Sequence, residues 1–330
     1  MSENVMQDFR AAIKDYTLEK PEKKPKNRYV NLLVLRELLS AARFTTDGTE
    51  ANSAVIRIGE TEETVGKLFG RKQVASDRRT AKAVQRALIT DEMKKKKVDW
   101  DGCSMEVTKM CQQCPECALF GSAASEGNVS MTSRVMYDEA YTIRSLSTIV
   151  EEFFQNAPGD AYVKNATSGI REPDFFKEGV LFPCVVTLKD VTPEEVLFFM
   201  NVTDRNSRYG ATGTRFGKVR NHILGVYAGG REGPSSLEVT REIIHALAGG
   251  SDQDSIRKVM SADTLDLEKV KAAAVQGYET LALHHRIIYT KIDEAATMQV
   301  LDAIKEDSEV TSLLTTQLGK LDDYLAVSKK

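Results

Sequence analysis

The chain has little material for several kinds of chemistry. Its 330 residues include one tryptophan and four histidines, too few for a histidine-rich metal centre. No apolar run approaches the ~18 residues that a membrane-spanning helix needs, so none is expected. The N-terminal stretch MSENVMQDFRAAIKDY lacks the basic-then-apolar layout of a secretory signal, and a cytoplasmic protein is expected. There is no overall excess of positive charge. The 45 Lys and Arg face 48 Asp and Glu, a net charge of −3, which removes the simplest sign of a nucleic-acid binder but says nothing of local patches. What remains is 42% hydrophobic and 28% charged, ordinary for a globular protein and long enough for one large decorated domain or two.

Cysteine is unevenly spent. Cys103, Cys111, Cys114 and Cys117 form C-x7-C-x2-C-x2-C, and Cys184 stands apart in an apolar run, where it reads as a small core residue. A disulfide scaffold does not suit a long chain without an export signal. Two successive C-x2-C steps let thiolates converge on one point, as tetrahedral zinc requires, so a structural Zn2+ on those four cysteines is expected. The rivals are unrelated buried thiols and a redox pair at Cys114-Pro115-Glu116-Cys117, although no thioredoxin-like βα unit surrounds it. A catalytic zinc would want an open position and a base such as Glu106 or Glu116.

Along the chain, residues 1–27 read as a short helix and an exposed arm, TLEKPEKKPKNR, with two prolines and a basic excess. Residues 29–36 and 54–58 read as strands. Residues 67–97 hold eleven basic residues, among them the run Lys94 to Lys97, against three acidic ones, and read as an inserted module that meets an anion. Then strand 179–188, a helix opened by the capping box Thr192-Pro193-Glu194-Glu195, a loop and strand 222–228 give half of a ferredoxin-like or RRM-like fold. From 231 to 330 the chain reads as helical, with a capping box at Ser235–Glu238, a stop at Gly249-Gly250 and amphipathic segments near 263–276, 293–306 and 308–327. Residues 251–330 carry fourteen acidic residues against ten basic, a solvated face or a docking surface for protein.

The loop before the last of those strands holds the densest chemistry. Residues 205–231 contain Arg205, Arg208, Arg215, Lys218, Arg220 and Arg231 and no acidic residue, with Gly210, Gly213 and Gly217 interleaved. Glycine lets backbone amides approach a phosphate, arginine binds it bidentately, and Tyr209 and Phe216 could stack on bases. The spacing matches neither the Walker nor the dinucleotide pattern. A flexible surface loop is the plain alternative. With the basic stretch at 67–97, an extended phosphate backbone is the better-suited ligand.

Leu119-Phe120-Gly121, followed by Ser133-Arg134-Val135 and Asp138-Glu139-Ala140, resembles the RAMP superfamily of CRISPR proteins. The loop RYGATGTRFGKV resembles that superfamily's glycine-rich RNA-contacting loop. The cysteines directly ahead, in CQQCPECALFG, narrow the resemblance to the backbone subunit of type I-D interference complexes, the Csc-two family. The resemblance spans most of residues 28–230. It implies an α+β fold: a modified RRM core with an inserted thumb hairpin within 45–100, a zinc loop at 103–117 and a helical C-terminal region. It implies RNA contact at Arg208, Tyr209, Gly210, Gly213, Arg215, Lys218 and Arg220, with Ser133, Arg134 and Arg43 as further candidates. The implied partners are crRNA, target DNA through the guide, further copies of the chain, and the complex's large, guide 5′-end-capping and small subunits. Such a subunit is not an enzyme. Related subunits cut RNA with a loop aspartate, and Asp47 lies in a comparable place, so a metal-dependent nuclease is the alternative. A plain β-turn also prefers aspartate there. A zinc-bearing DNA-binding regulator is a third reading.

Overall fold

The computed structural model describes residues 2–46, 48–95, 102–106, 109–122, 130–155, 170–211, 213–321 and 324. In chain order its elements are α1 (Ser2–Ile13), β1 (Tyr29–Leu38), β2 (Ser53–Ile58), β3 (Thr61–Leu68), α2 (Gly70–Ala87), α3 (Asp91–Lys95) and α4 (Pro115–Phe120). Next come β4 (Val135–Tyr137), β5 (Ala140–Ser145), the single turn α5 (Leu146–Ile149), β6 (Val150–Gln155), β7 (Ile170–Phe176), β8 (Leu181–Lys189), α6 (Pro193–Arg205) and β9 (Val219–Gly229). The last are α7 (Ser236–Ala248), α8 (Gln253–Met260), α9 (Leu267–His284), β10 (Tyr289–Asp293), α10 (Glu294–Ala303) and α11 (Asp307–Lys320).

The main sheet is antiparallel, in the order β10-β9-β1-β8-β4. Without β10, it is a βαββαβ unit of strand order 4-1-3-2, with α2 and α6 as the two crossover helices. This is the ferredoxin-like arrangement expected from the sequence. β1 lies at the centre of the five strands and is buried along almost its whole length, because both sheet faces are covered. Its residues divide by parity: Leu32 and Val34 join one core with Phe198 and Phe199 of α6, while Leu33 and Leu35 join another with Ile243 of α7 and Ala274 of α9. That second face is the one on which an open RRM sheet would stack bases. Here helices fill it, so the sheet offers no platform.

α6 forms where its capping residues allow. Thr192 Oγ accepts from the Glu195 amide at 3.3 Å, the Glu195 carboxylate accepts from the Thr192 amide at 2.8 Å, and Pro193 takes the first turn. α7 repeats the device with Ser235 and Glu238, and ends on Gly249 in the left-handed conformation.

Two expectations need correction. The range 45–100 holds a hairpin, β2–β3, but most of the basic stretch 67–97 is α2, a helix of the core itself and not an insertion, with Gln73, Asp77 and Lys82 buried. A second hairpin, β6–β7, lies between β4 and β8, and its connecting residues fall outside the described set. The C-terminal region is also not purely helical, since β10 extends the sheet. Among the described residues no helix is long and apolar enough to cross a membrane.

Replacing Thr192 with alanine should cost about 1 kcal/mol, the usual worth of an N-cap. Urea unfolding would show it as a lower midpoint at unchanged slope, and an unchanged midpoint would remove the capping box as a stabilising device.

Candidate nucleic-acid interface and metal centre

A buried polar network sits where β1, α2 and the loop after α6 meet. Arg36 of β1 is 1% exposed and Asp77 of α2 is fully buried, with Arg36 Nη2 at 3.6 Å from Asp77 Oδ2. Tyr209 Oη and Asn206 Nδ2 donate to Asp77 Oδ1 at 2.5 and 2.6 Å, and Tyr137 Oη donates to Oδ2 at 2.8 Å. Arg36 also donates to Tyr209 Oη, to Gln73 at 3.2 Å and to Asn221 at 2.7 Å. Burial pushes the phenols of Tyr209 and Tyr137 well above their usual range, so both stay protonated and donate.

Above this network the loop 206–218 is clamped by backbone hydrogen bonds. Tyr209 and Gly217 pair across it at 3.0 Å, the Gly217 amide reaches Ala41 O at 2.7 Å, and the Ala211 amide reaches Arg43 O at 3.1 Å. Ser76 of α2 donates to the Arg208 carbonyl. Gly217 has φ +79°, and a Cβ there would stand 2.0 Å from Tyr209 O; Gly210, at φ +90°, would meet Arg43 O at 2.6 Å. These two glycines are therefore required by close backbone approach. The loop is not a slack surface segment.

The expected contact residues divide into two groups. Arg208, Gly213, Arg215, Lys218 and Arg220 are exposed, and Gly210 is half-buried below them. Tyr209 is 1% exposed and bonds Asp77, so its ring anchors the loop from below. Arg134 is likewise 8% exposed. It donates to Glu195 at 2.8 Å and to the carbonyls of Ala118 and Asp190 at 3.0 Å, tying the Leu-Phe-Gly segment to the start of α6. Ser133 bonds the backbone of Val135 at 2.8 and 3.1 Å. The Arg43 guanidinium lies 4.5 Å from the Phe216 ring centre, and Phe175 stacks on that ring at 6.3 Å, so Phe216 is packed within the loop's base. Asp47 lies outside the described residues.

Part of the basic stretch 67–97 turns inward. Arg78 and Lys82 both reach Glu116, Arg86 reaches Cys103 O, and Lys67 meets Glu139 at 3.2 Å. Arg71 and Lys72 instead bond Thr46 Oγ at 3.1 Å and Thr45 O at 2.6 Å beside the loop, and Arg79 is exposed. Residues 96–97 of the lysine run lie outside the described set.

The four clustered cysteines do converge, with all four sulfurs within 4.8 Å of one another. Cys103 lies 3.9 Å from Cys114 and 3.6 Å from Cys117. Tetrahedral sulfurs on a zinc with ~2.3 Å bonds stand about 3.8 Å apart, so the set fits such an ion. Amides of Cys111 and Cys117 donate to sulfurs of Cys103 and Cys114 at 3.3 and 3.4 Å, as thiolate ligands want. Lys82 Nζ stands 3.0 Å from Cys103 Sγ. Burial works against this ammonium, but Glu116 and the cysteines outweigh it and hold it charged. Glu116, the base a catalytic zinc would want, is fully buried and held by Arg78 and Lys82. Cys184 is a core residue, as expected.

The ferredoxin-like core, the cysteine segment directly before Leu119-Phe120-Gly121 and the arginine-glycine loop after α6 are the arrangement that the resemblance to RAMP proteins implied. The chain belongs to the Csc2 Crispr family, whose model matches residues 8–318. The crystal structure of Thermofilum pendens Csc2 is similar over 98% of both chains, with 17% identity and a TM-score of 0.65. A chain of a CRISPR RNA-guided surveillance complex is similar at 10% identity and a TM-score of 0.48, over 82% of this chain and 92% of that one. No curated protein sequence matches. The family resemblance read from the sequence is thereby borne out.

Gly217→Ala should unseat the loop, because its Cβ collides with backbone, whereas Gly213→Ala meets open space. Amide hydrogen exchange at Tyr209 and Gly217 should accelerate in the first variant and not in the second. Equal protection in both would refute the clamp.

Proposed function

We propose that the chain is the guide-binding backbone subunit of a type I-D CRISPR surveillance complex. Copies polymerise along crRNA and present it for pairing with target DNA, beside the large, guide 5′-end-capping and small subunits. The observation that carries this reading is the clamped loop, which presents Arg208, Arg215, Lys218 and Arg220 to solvent in a chain of net charge −3. Four exposed cations on a hydrogen-bonded loop suit phosphates of an unpaired strand, and sequence-tolerant binding follows because phosphate contacts carry no base identity. Specificity then comes from base pairing and not from side chains. In this reading the subunit holds the guide and does not cut it; comparing cleavage of labelled RNA by the wild-type chain and Asp47→Ala in the presence of divalent ions tests that.

The cysteine cluster supports a structural Zn2+ held by Cys103, Cys111, Cys114 and Cys117. With four sulfur ligands the ion has no open position, so its contribution is to fold the segment between α2 and β4. Lys82 and Arg78, anchored on Glu116, then fix that segment to the core.

The double variant Arg215→Ala/Lys218→Ala should bind single-stranded RNA more weakly. The slope of log affinity against log salt should shrink by about 1.4, ~0.7 for each phosphate no longer neutralised. An unchanged slope would sink the loop assignment. Elemental analysis of purified protein should return about one zinc per chain, falling in Cys114→Ser. A metal-free, normally folded sample would remove the ion.

A further inference from the structure

The basic arm ahead of β1 takes no part in the guide loop. Residues 20–28 carry Lys20, Lys23, Lys24, Lys26 and Arg28 against Glu22 alone. A solvated tail would be mobile, but this segment is pinned. The Leu18 amide bonds Val191 O at 2.9 Å, Pro21 is buried, and the Asp190 amide bonds Arg28 O at 2.8 Å. The Asp190 carboxylate accepts from the amides of Lys26 and Arg28 at 3.0 and 2.9 Å. That carboxylate organises the arm's backbone, and the arm stays basic, with five cations against Glu22 and Asp190. Of the exposed Lys23, Lys24, Lys26 and Arg28, only the Lys26 side chain meets a carboxylate among the described residues, Glu22 at 3.0 Å.

The arm stands at the far end of the sheet. It leads into Tyr29, where β1 begins, whereas the guide loop pairs near Leu38, where β1 ends. Ten strand residues separate the two by about 33 Å at ~3.3 Å per residue. The arm and the loop are therefore distinct surfaces at opposite ends of β1. The arm also lacks the loop's glycine cradle. Lys189 Nζ lies 5.5 Å from the centre of the Tyr29 ring, and Tyr29 Oη bonds Asn27. Lysine point charges without a stacking surface contact phosphates and not bases.

We infer that residues 20–28 form a second nucleic-acid contact, separate from the guide loop, that takes the phosphodiester backbone of duplex DNA without regard to sequence. Anchoring by Asp190 spares the arm part of the backbone ordering cost on binding. The arm does not require the loop to bind the guide.

The test is Lys23→Ala/Lys24→Ala/Lys26→Ala in the full chain, titrated with a duplex of arbitrary sequence and with single-stranded RNA across salt concentrations. The side chains are exposed and the anchoring amides remain, so the thermal midpoint should not move. For the duplex, the salt slope should shrink by about 2.7, ~0.9 per lysine, while RNA binding is retained. Duplex binding that is unchanged, or lost equally with RNA binding, overturns the inference. Loss of self-association in sedimentation with duplex binding intact also overturns it, assigning the arm to a protein contact. Running Arg215→Ala/Lys218→Ala in parallel separates the two sites: if that variant keeps RNA binding, the guide-loop reading fails while the arm's result stands.

Discussion

The Asp77 carboxylate organises the working end of this protein. It is fully buried on α2, opposite the equally buried Arg36 of β1, and its remaining acceptor capacity is filled by Tyr137, Asn206 and Tyr209. Removing one partner of such a pair leaves a stranded charge, at a cost of about 3–5 kcal/mol. The network therefore fixes four segments at once: the central strand, the first crossover helix, β4 and the root of the glycine loop. With that root immobile, the exposed arginines above it are held on a defined surface before any ligand arrives.

The same logic governs charge elsewhere. A buried cation needs a partner, so Arg134 is matched to Glu195 and Arg78 and Lys82 to Glu116. These pairs stitch the cysteine segment and the Leu-Phe-Gly turn to α2 and α6. Only cations that face solvent remain available to a polyanion. The surface charge is thus far more selective than the count of basic residues suggests, and a net acidic chain can still hold two positive regions, one at each end of its central strand.

Much of the architecture was legible in local pattern. The capping boxes at Thr192 and Ser235, the apolar runs of β1 and β8 and the cysteine spacing each follow from chemistry within a few residues. Short motifs sufficed for the family, because their order and spacing are specific even where each is brief. β10 was missed because its five residues run directly into α10, with no turn residue to separate them. Reading 67–97 as an insertion failed because cations that stabilise a helix from within look like cations that meet a ligand.

By itself the sequence determined the capped helices α6 and α7, the apolar strands β1 and β8, the cysteine spacing and the charge of the glycine loop, since capping, apolar pattern and residue type are local properties. Only the tertiary structure decided which side chains face water. It buried Tyr209 and Arg134 in hydrogen-bonded networks, and it filled the sheet face that a simpler RRM leaves open. Burial depends on what packs from distant parts of the chain, and no window of sequence contains that information.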